Sequence, residues 1–276
     1  MEQFSQISRV DLIRSSFLAG LAAITIATFV LPAFGDTAKA SQDTVFELRQ
    51  YTLYGGRRDA LIALFEKNFI ESQEEVNANI IGTFRDLDDP DRFVWIRGFR
   101  DLQTRGQALD SFYGSSPAWL AHKQEANVTM VDSDNVLLLR PASSSPQFGN
   151  SATMAPSGDA IYGVTIYYLG GVDEAQFKEF FDSTILPHLH ALGVQPVAVL
   201  TTDEVPNNYP RLPIRDKDRV FLWMGRFPSE QAYESFASQM RQWSGWRDKA
   251  PEAVLPAVMR KPEQLRLKPT KRSPLQ

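Results

Sequence analysis

Apolar and polar residues alternate from Val45 to Leu53, with β-branched and aromatic side chains among them, and this pattern predicts a strand. A turn at Gly55-Gly56 follows, and then Leu61, Leu64, Phe65 and Phe69 recur at helical spacing over residues 58–76. Residues 80–87 and 93–99 read as two strands joined by a hairpin turn at Asp88-Asp89-Pro90-Asp91. Asp101 is placed to cap a helix reaching about Tyr113, and residues 136–140 form a last apolar strand. The same order then returns. Residues 161–169 predict a strand, Gly170-Gly171 a turn, and Asp173 an N-cap. Phe177, Phe180, Phe181 and Ile185 mark the buried face of the next helix. Residues 194–202 and 219–227 are paired strands, Ser229 caps a helix to about Gln242, and residues 264–268 close the unit. The loop between those paired strands, 203–218, is long and proline-rich, a character typical of functional or mobile loops.

The two units are copies. Asp91-Arg92-Phe93-Val94-Trp95-Ile96-Arg97-Gly98-Phe99 is echoed by Asp218-Arg219-Val220-Phe221-Leu222-Trp223-Met224-Gly225-Arg226-Phe227. The separation of Asp91 from Asp218 equals that of Trp119 from Trp246. Each copy reads β-α-β-β-α-β, the ferredoxin-like unit, whose sheet carries helices on one face alone. The other face must also be covered, and packing the two sheets together covers it. The expected class is therefore α+β: two tandem ferredoxin-like repeats packed sheet to sheet as a pseudo-dimeric α/β barrel. Repeat 1 is assigned to residues 41–141, a Ser/Pro/Gly-rich linker to 142–159, repeat 2 to 160–269 and a tail to 270–276. In the tail region Lys268, Lys271 and Arg272 read as a solvated basic end.

The opening strand Phe46-Glu47-Leu48-Arg49-Gln50-Tyr51-Thr52-Leu53 resembles the start of NIPSNAP domains. So do the strand Phe93 to Phe99 with Asp101-Leu102 and Arg105 after it, and the downstream Trp119. The resemblance covers most of residues 44–140. It is weaker from 160 to 268, where Tyr162-Gly163-Val164-Thr165-Ile166-Tyr167 lacks the Glu and Arg of the first strand. The resemblance implies a dimeric α/β-barrel arrangement akin to small monooxygenases and stress-response barrels; it implies no particular reaction.

Ahead of the repeats, residues 17–34 are uncharged and mostly apolar, Arg9 and Arg14 precede them, and Ala38-Lys39-Ala40 follows. This is the layout of a signal peptide, residues 1–40, cleaved after Ala40. The expected location is the periplasm or the exterior. The alternative is a membrane anchor formed by the uncleaved segment, which is just long enough to span. No second apolar run of that length exists, so the mature part is not expected to span a membrane.

Hydrophobic residues make up 43% and charged residues 22%, which excludes disorder of the whole chain. The net charge of −4, with no basic block, argues against a nucleic-acid partner. The absence of cysteine removes disulfides and thiolate metal sites. Three scattered histidines show no ligand spacing, so neither metal nor cofactor is expected.

Glu47, Arg49 and Tyr51 alternate along one strand and therefore share a face. Assigning Phe46 and Leu48 to the helices sends that charged set into the barrel interior. There the Glu–Arg pair either fixes how the two sheets meet or contacts a ligand. Trp95 and Arg97 are expected to line the same space, with Trp223 as the counterpart in repeat 2; tryptophan packing in a core is the competing reading. His188 is a candidate general base, but His190 two residues on points elsewhere on the helix, which rules against a shared metal. Three functions remain open. The first is an exported barrel protein binding a small apolar or aromatic molecule in a lumen. The second is a cofactor-independent oxygenase or isomerase, and the third is an interaction module without ligand. A tandem chain can close its own barrel, so the chain is either a monomer with an internal pseudo-dimer or a homodimer.

Overall fold

In the computed structural model, residues 43–142, 147–149 and 158–276 are described. The expected signal peptide, its cleavage point at Ala40 and most of the linker lie outside them. Repeat 1 consists of β1 (Val45–Leu53), α1 (Arg58–Asn68), α2 (Ile70–Glu74), β2 (Asn79–Asp86), β3 (Arg92–Phe99), α3 (Leu102–Ser115), α4 (Pro117–Asn127), β4 (Met130–Asp132) and β5 (Val136–Pro141). Repeat 2 consists of β6 (Ile161–Tyr168), α5 (Glu174–Phe180), a π-helical turn (Phe181–Ile185), α6 (Leu186–Ala191), β7 (Pro196–Thr202), β8 (Val220–Phe227), α7 (Glu230–Gln242), α8 (Gly245–Asp248), α9 (Leu255–Met259) and β9 (Glu263–Pro269). The three expected N-caps are in place: Asp101, Asp173 and Ser229 accept from the backbone N–H groups of Thr104, Gln176 and Ala232. No helix among the described residues is long and apolar enough to cross a membrane.

Within each repeat the first strand lies beside the third. Val45 faces Phe99 in one, and Ile161 faces Phe227 in the other. This register matches Trp95 with Trp223 and sets the true repeat offset in the strands one residue longer than the separation of Asp91 from Asp218. At the shorter offset Trp95 would match Leu222, on the opposite face of the sheet. The repeats join at two seams. The last strand of each pairs with the second strand of the other, Arg85 facing Lys268 and Arg140 facing Thr201. Eight strands thereby close in the order β1-β3-β2-β9-β6-β8-β7-β5 and back to β1, and β4 adds to one end of β1.

The interior is apolar and filled. Phe46, Leu48, Val94 and Ile96 from repeat 1 meet Tyr162, Val164, Leu222 and Met224 from repeat 2 in one buried cluster. An eight-stranded barrel has room for little beyond its own inward side chains. Phe148 inserts here too, edge-on to Phe46 with ring centroids 5.4 Å apart, and Leu275 is also part of the cluster. Lys268, Lys271 and Arg272 are exposed, as expected, but the tail around them is anchored. Thr270, Ser273 and Leu275 are buried; Ser273 Oγ accepts from Thr83 N at 3.0 Å, and Arg272 pairs with Glu71. Polar groups of Thr83 on the barrel strand need partners, and the tail supplies them.

The charged face of β1 is consequently the outer one. Glu47, Arg49, Tyr51, Trp95 and Arg97 lie under the helices of repeat 1, and Phe46 and Leu48 point into the barrel, the reverse of the sequence-based assignment. Alternation dictates which residues share a face, but not which face is closed by the second sheet.

Candidate functional site

The layer between sheet and helices differs sharply between the two repeats. In repeat 1 it holds a sealed charge cluster centred on Glu47, whose side chain is 0% exposed. One carboxylate oxygen accepts from Arg49 Nη1 and Arg97 Nε, both at 2.7 Å, and the other from Arg105 Nε at 2.7 Å. The three guanidinium groups are at most 1% exposed, so one negative charge is buried among three positive ones. Each guanidinium also donates to a neutral oxygen. Arg49 donates to Tyr51 Oη at 3.1 Å, Arg97 to Gln73 Oε1 at 2.8 Å, and Arg105 to Asn207 Oδ1 at 3.1 Å. Trp95 lies against both Arg49 and Arg97, whose guanidinium carbons stand 5.4 and 5.1 Å from its ring centroid. Burial on its own would raise the Glu47 pKa, but the Arg97, Arg49 and Arg105 charges outweigh it and hold the carboxyl far below the usual carboxylate range. The group is ionised throughout the physiological range, and the cluster forms a fully packed structural unit.

The loop over residues 203–218 of repeat 2 covers this cluster. Its Asn207 and Asn208 bond Arg105, and Tyr209 is buried beside Leu109 and stacked on Tyr113 with centroids 6.3 Å apart. The proline-rich stretch thus serves as an anchored clasp between the repeats.

In repeat 2 the charged residues are replaced by uncharged ones, while the aromatic pair is kept. By the strand register, Gly163 stands for Glu47, Thr165 for Arg49, Tyr167 for Tyr51, Trp223 for Trp95 and Gly225 for Arg97. Counting from the helix caps Asp101 and Ser229, Tyr233 stands for Arg105. A cavity of about 340 Å3 opens there, with Thr165, Tyr167 and Trp223 on its sheet side and Tyr233, Phe236 and Met240 on its helix side. A Cβ at Gly163 would fall 2.7 Å from Tyr233 Cε2, so the ring of Tyr233 packs directly on bare backbone. The π-helical turn ends at Ile185, which also faces the cavity. Such turns widen a helix locally and recur at functional sites.

Two polar groups serve the inner wall. Trp223 is 2% exposed and its Nε1 has no hydrogen-bond partner in good geometry. The Tyr167 hydroxyl is near enough to feel that N–H, which only partly offsets the burial that pushes its pKa up to about 12. Tyr167 therefore stays protonated at neutral pH and available as a donor.

Of the sequence-derived candidates, Glu47, Arg49, Tyr51, Trp95 and Arg97 come together, but in a packed cluster. Trp223 is part of the open cavity. His188 belongs to neither. It stacks on Trp243 with ring centroids 3.9 Å apart, and burial together with the nearby Lys249 lowers its pKa. The cavity-lining Thr165, Tyr167 and Tyr233 carried no functional motif, and Trp246 stood out only as the repeat counterpart of Trp119. Their signal was negative: charges of the first opening strand replaced by glycine and threonine in the second.

An eight-stranded barrel closed from two ferredoxin-like halves, with its sites between sheet and helices, defines a dimeric α/β-barrel protein built from one chain. Residues 46–146 match the NIPSNAP family model, and repeat 1 of this chain is accordingly a NIPSNAP domain. A candidate monooxygenase from Fusobacterium nucleatum subsp. nucleatum ATCC 25586 shares the fold over both repeats. It is 8% identical, covers 83% of this chain and 93% of its own, and has a TM-score of 0.53. A candidate monooxygenase from Lactobacillus acidophilus NCFM is 11% identical over 82% of this chain and 94% of its own, with a TM-score of 0.46. A NIPSNAP family protein from Agrobacterium tumefaciens str. C58 is 23% identical over 37% of this chain and 97% of its own, with a TM-score of 0.34. No curated protein matches.

Proposed function

We propose that this chain binds a small apolar or aromatic molecule in the sheet–helix cavity of repeat 2, with repeat 1 as a rigid companion whose equivalent space is filled by its own charges. The observation that carries the reading is the replacement of Glu47, Arg49 and Arg97 by Gly163, Thr165 and Gly225. Gly163 and Thr165 line a cavity of about 340 Å3, within the roughly 300–1,000 Å3 range of small-molecule sites, with the Tyr233 ring packed on Gly163 as one of its walls. Its walls are mostly aromatic and aliphatic, as the walls of small-molecule sites usually are. Large apolar side chains from both repeats crowd the barrel lumen, which favours the sheet–helix cavity as the site.

We further propose that binding takes place outside the cytoplasm. The apolar run 17–34 and the small residues at Ala38 and Ala40 support that location.

Native mass spectrometry of the protein isolated from its own cells tests the binding reading. The expected result is an adduct of defined mass on the native chain and none on Met240→Trp, whose larger ring enters the cavity from α7. A clean native mass, or an adduct unchanged in the variant, would overturn it.

A further inference from the structure

The mouth of the repeat-2 cavity carries charge of one sign. Arg241 from α7, with Arg260 and Lys261 from the segment joining α9 to β9, lines its edge, and no carboxylate lines it anywhere. Arg241 and Lys261 make no ion pair among the described residues, and Arg260 lies over the ring of Tyr168 with its guanidinium carbon 4.1 Å from the centroid. Several surface arginines elsewhere in this acidic chain are matched, Arg85 with Asp59, Arg219 with Glu204, Arg272 with Glu71, and Arg266 with Asp88, Glu230 and Glu234, whereas Arg57 and Arg211 are exposed and, like Arg241, make no ion pair among the described residues. Three cations beside an apolar cavity, with Glu263 held on the hydroxyl of the Tyr168 ring that Arg260 covers, leave a net positive charge at the mouth against the chain's net charge of −4.

Repeat 1 supplies an internal comparison. Where that repeat buries cations in its sheet–helix layer, it provides Glu47 as their counter-ion. In repeat 2 the matching positions carry no cation, Arg241, Arg260 and Lys261 stand at the mouth instead, and Gly163 occupies the place of the carboxylate. The anion that the chain supplies in repeat 1 is absent from the repeat-2 site, and a ligand can bring it.

We propose that the molecule bound in repeat 2 is an amphiphilic monoanion, an aromatic or short-acyl carboxylate. Its apolar body lies against Trp223 and Phe236, and its carboxylate stands at the mouth among Arg241, Arg260 and Lys261. This rests on the cavity being a ligand site. Arginine suits the task because its planar fork meets a carboxylate with two parallel hydrogen bonds.

The test uses two dyes with one ring skeleton, anilinonaphthalene sulfonate and its uncharged parent phenylnaphthylamine, titrated by fluorescence against the full protein at low salt. The sulfonate stands in for the carboxylate. The native protein is expected to bind the anionic dye about tenfold more tightly than the neutral one, the scale of one charge-assisted contact. Combined Arg241→Gln, Arg260→Gln and Lys261→Gln substitutions should erase that margin and leave the neutral dye's affinity within about twofold, since all three side chains are on the surface. Raising the salt should shrink the margin in the native protein alone. Equal affinities, or a margin that survives the triple substitution, would overturn the anionic class while the cavity reading stands, provided Met240→Trp still abolishes neutral-dye binding. If Met240→Trp leaves both dyes bound, neither sits in the cavity, and both readings fall together.

Discussion

Glu47 and Gly163 occupy the same point of the two repeats: each is the third residue of its first strand, and each faces the matching position of the third strand, Arg97 in one and Gly225 in the other. One fold thus solves the same layer in two ways. With the carboxylate present, three arginines pack around it and the space closes. With glycine there, the arginines are gone and the space opens.

The closed solution depends on Glu47. In Glu47→Gln the shape remains but three buried guanidinium groups lose their counter-ion. Removing one partner of a buried ion pair costs about 3–5 kcal/mol, and denaturant unfolding should show a loss of that size. A change below about 1 kcal/mol would mean that the arginines find other compensation.

The same residue sets an acid limit on stability. Its pKa in the fold lies well below its ordinary value of 4.5, so its contribution is complete above about pH 4.5 and declines as pH falls towards the depressed folded value. Unfolding free energy measured from pH 6 down to pH 3 should fall more steeply for the native protein than for Glu47→Gln. Parallel curves would remove Glu47 as the source.

Thr165→Arg restores the repeat-1 residue in repeat 2 without its carboxylate. An unpaired cation would then enter a site whose native threonine is 8% exposed. The expected cost is about 3 kcal/mol or more, with loss of dye binding. A stable Thr165→Arg protein with an open cavity would show that the side chain escapes to the mouth.

The clasp over repeat 1 should loosen when its asparagines are removed. Asn207→Ala with Asn208→Ala deprives Arg105 of two acceptors, and hydrogen bonds to charged groups contribute about 1.5–3 kcal/mol each. Amide hydrogen exchange should rise across residues 203–218 and stay unchanged in β6 and β8. Uniform acceleration would point instead to global destabilisation.

At the barrel end, Leu275→Ala should cost about 2–5 kcal/mol, the usual range for truncating a buried leucine. A neutral result by thermal or denaturant unfolding would mean that the tail adds nothing to the core.

Much of this architecture was legible along the chain. The strand Val45–Leu53 falls where alternation put it, Asp101, Asp173 and Ser229 cap the helices expected of them, and the matched tryptophans revealed the repeat. Helix α4 and strand β4 were missed; α4 packs Trp119 and Ala126 against the core, but its apolar residues are too few to show a period. Local spacing and capping are properties of neighbouring residues, so the sequence by itself determined the elements, their order and the sets of side chains that share a face. Only the tertiary structure decided which face became the barrel interior, because that depends on two sheets meeting across more than a hundred residues of chain. It also decided where the cavity lies. A cavity forms where opposing elements leave volume unfilled, and the small residues at Gly163 and Thr165 acquire that meaning only once Tyr233 and Met240 stand across from them.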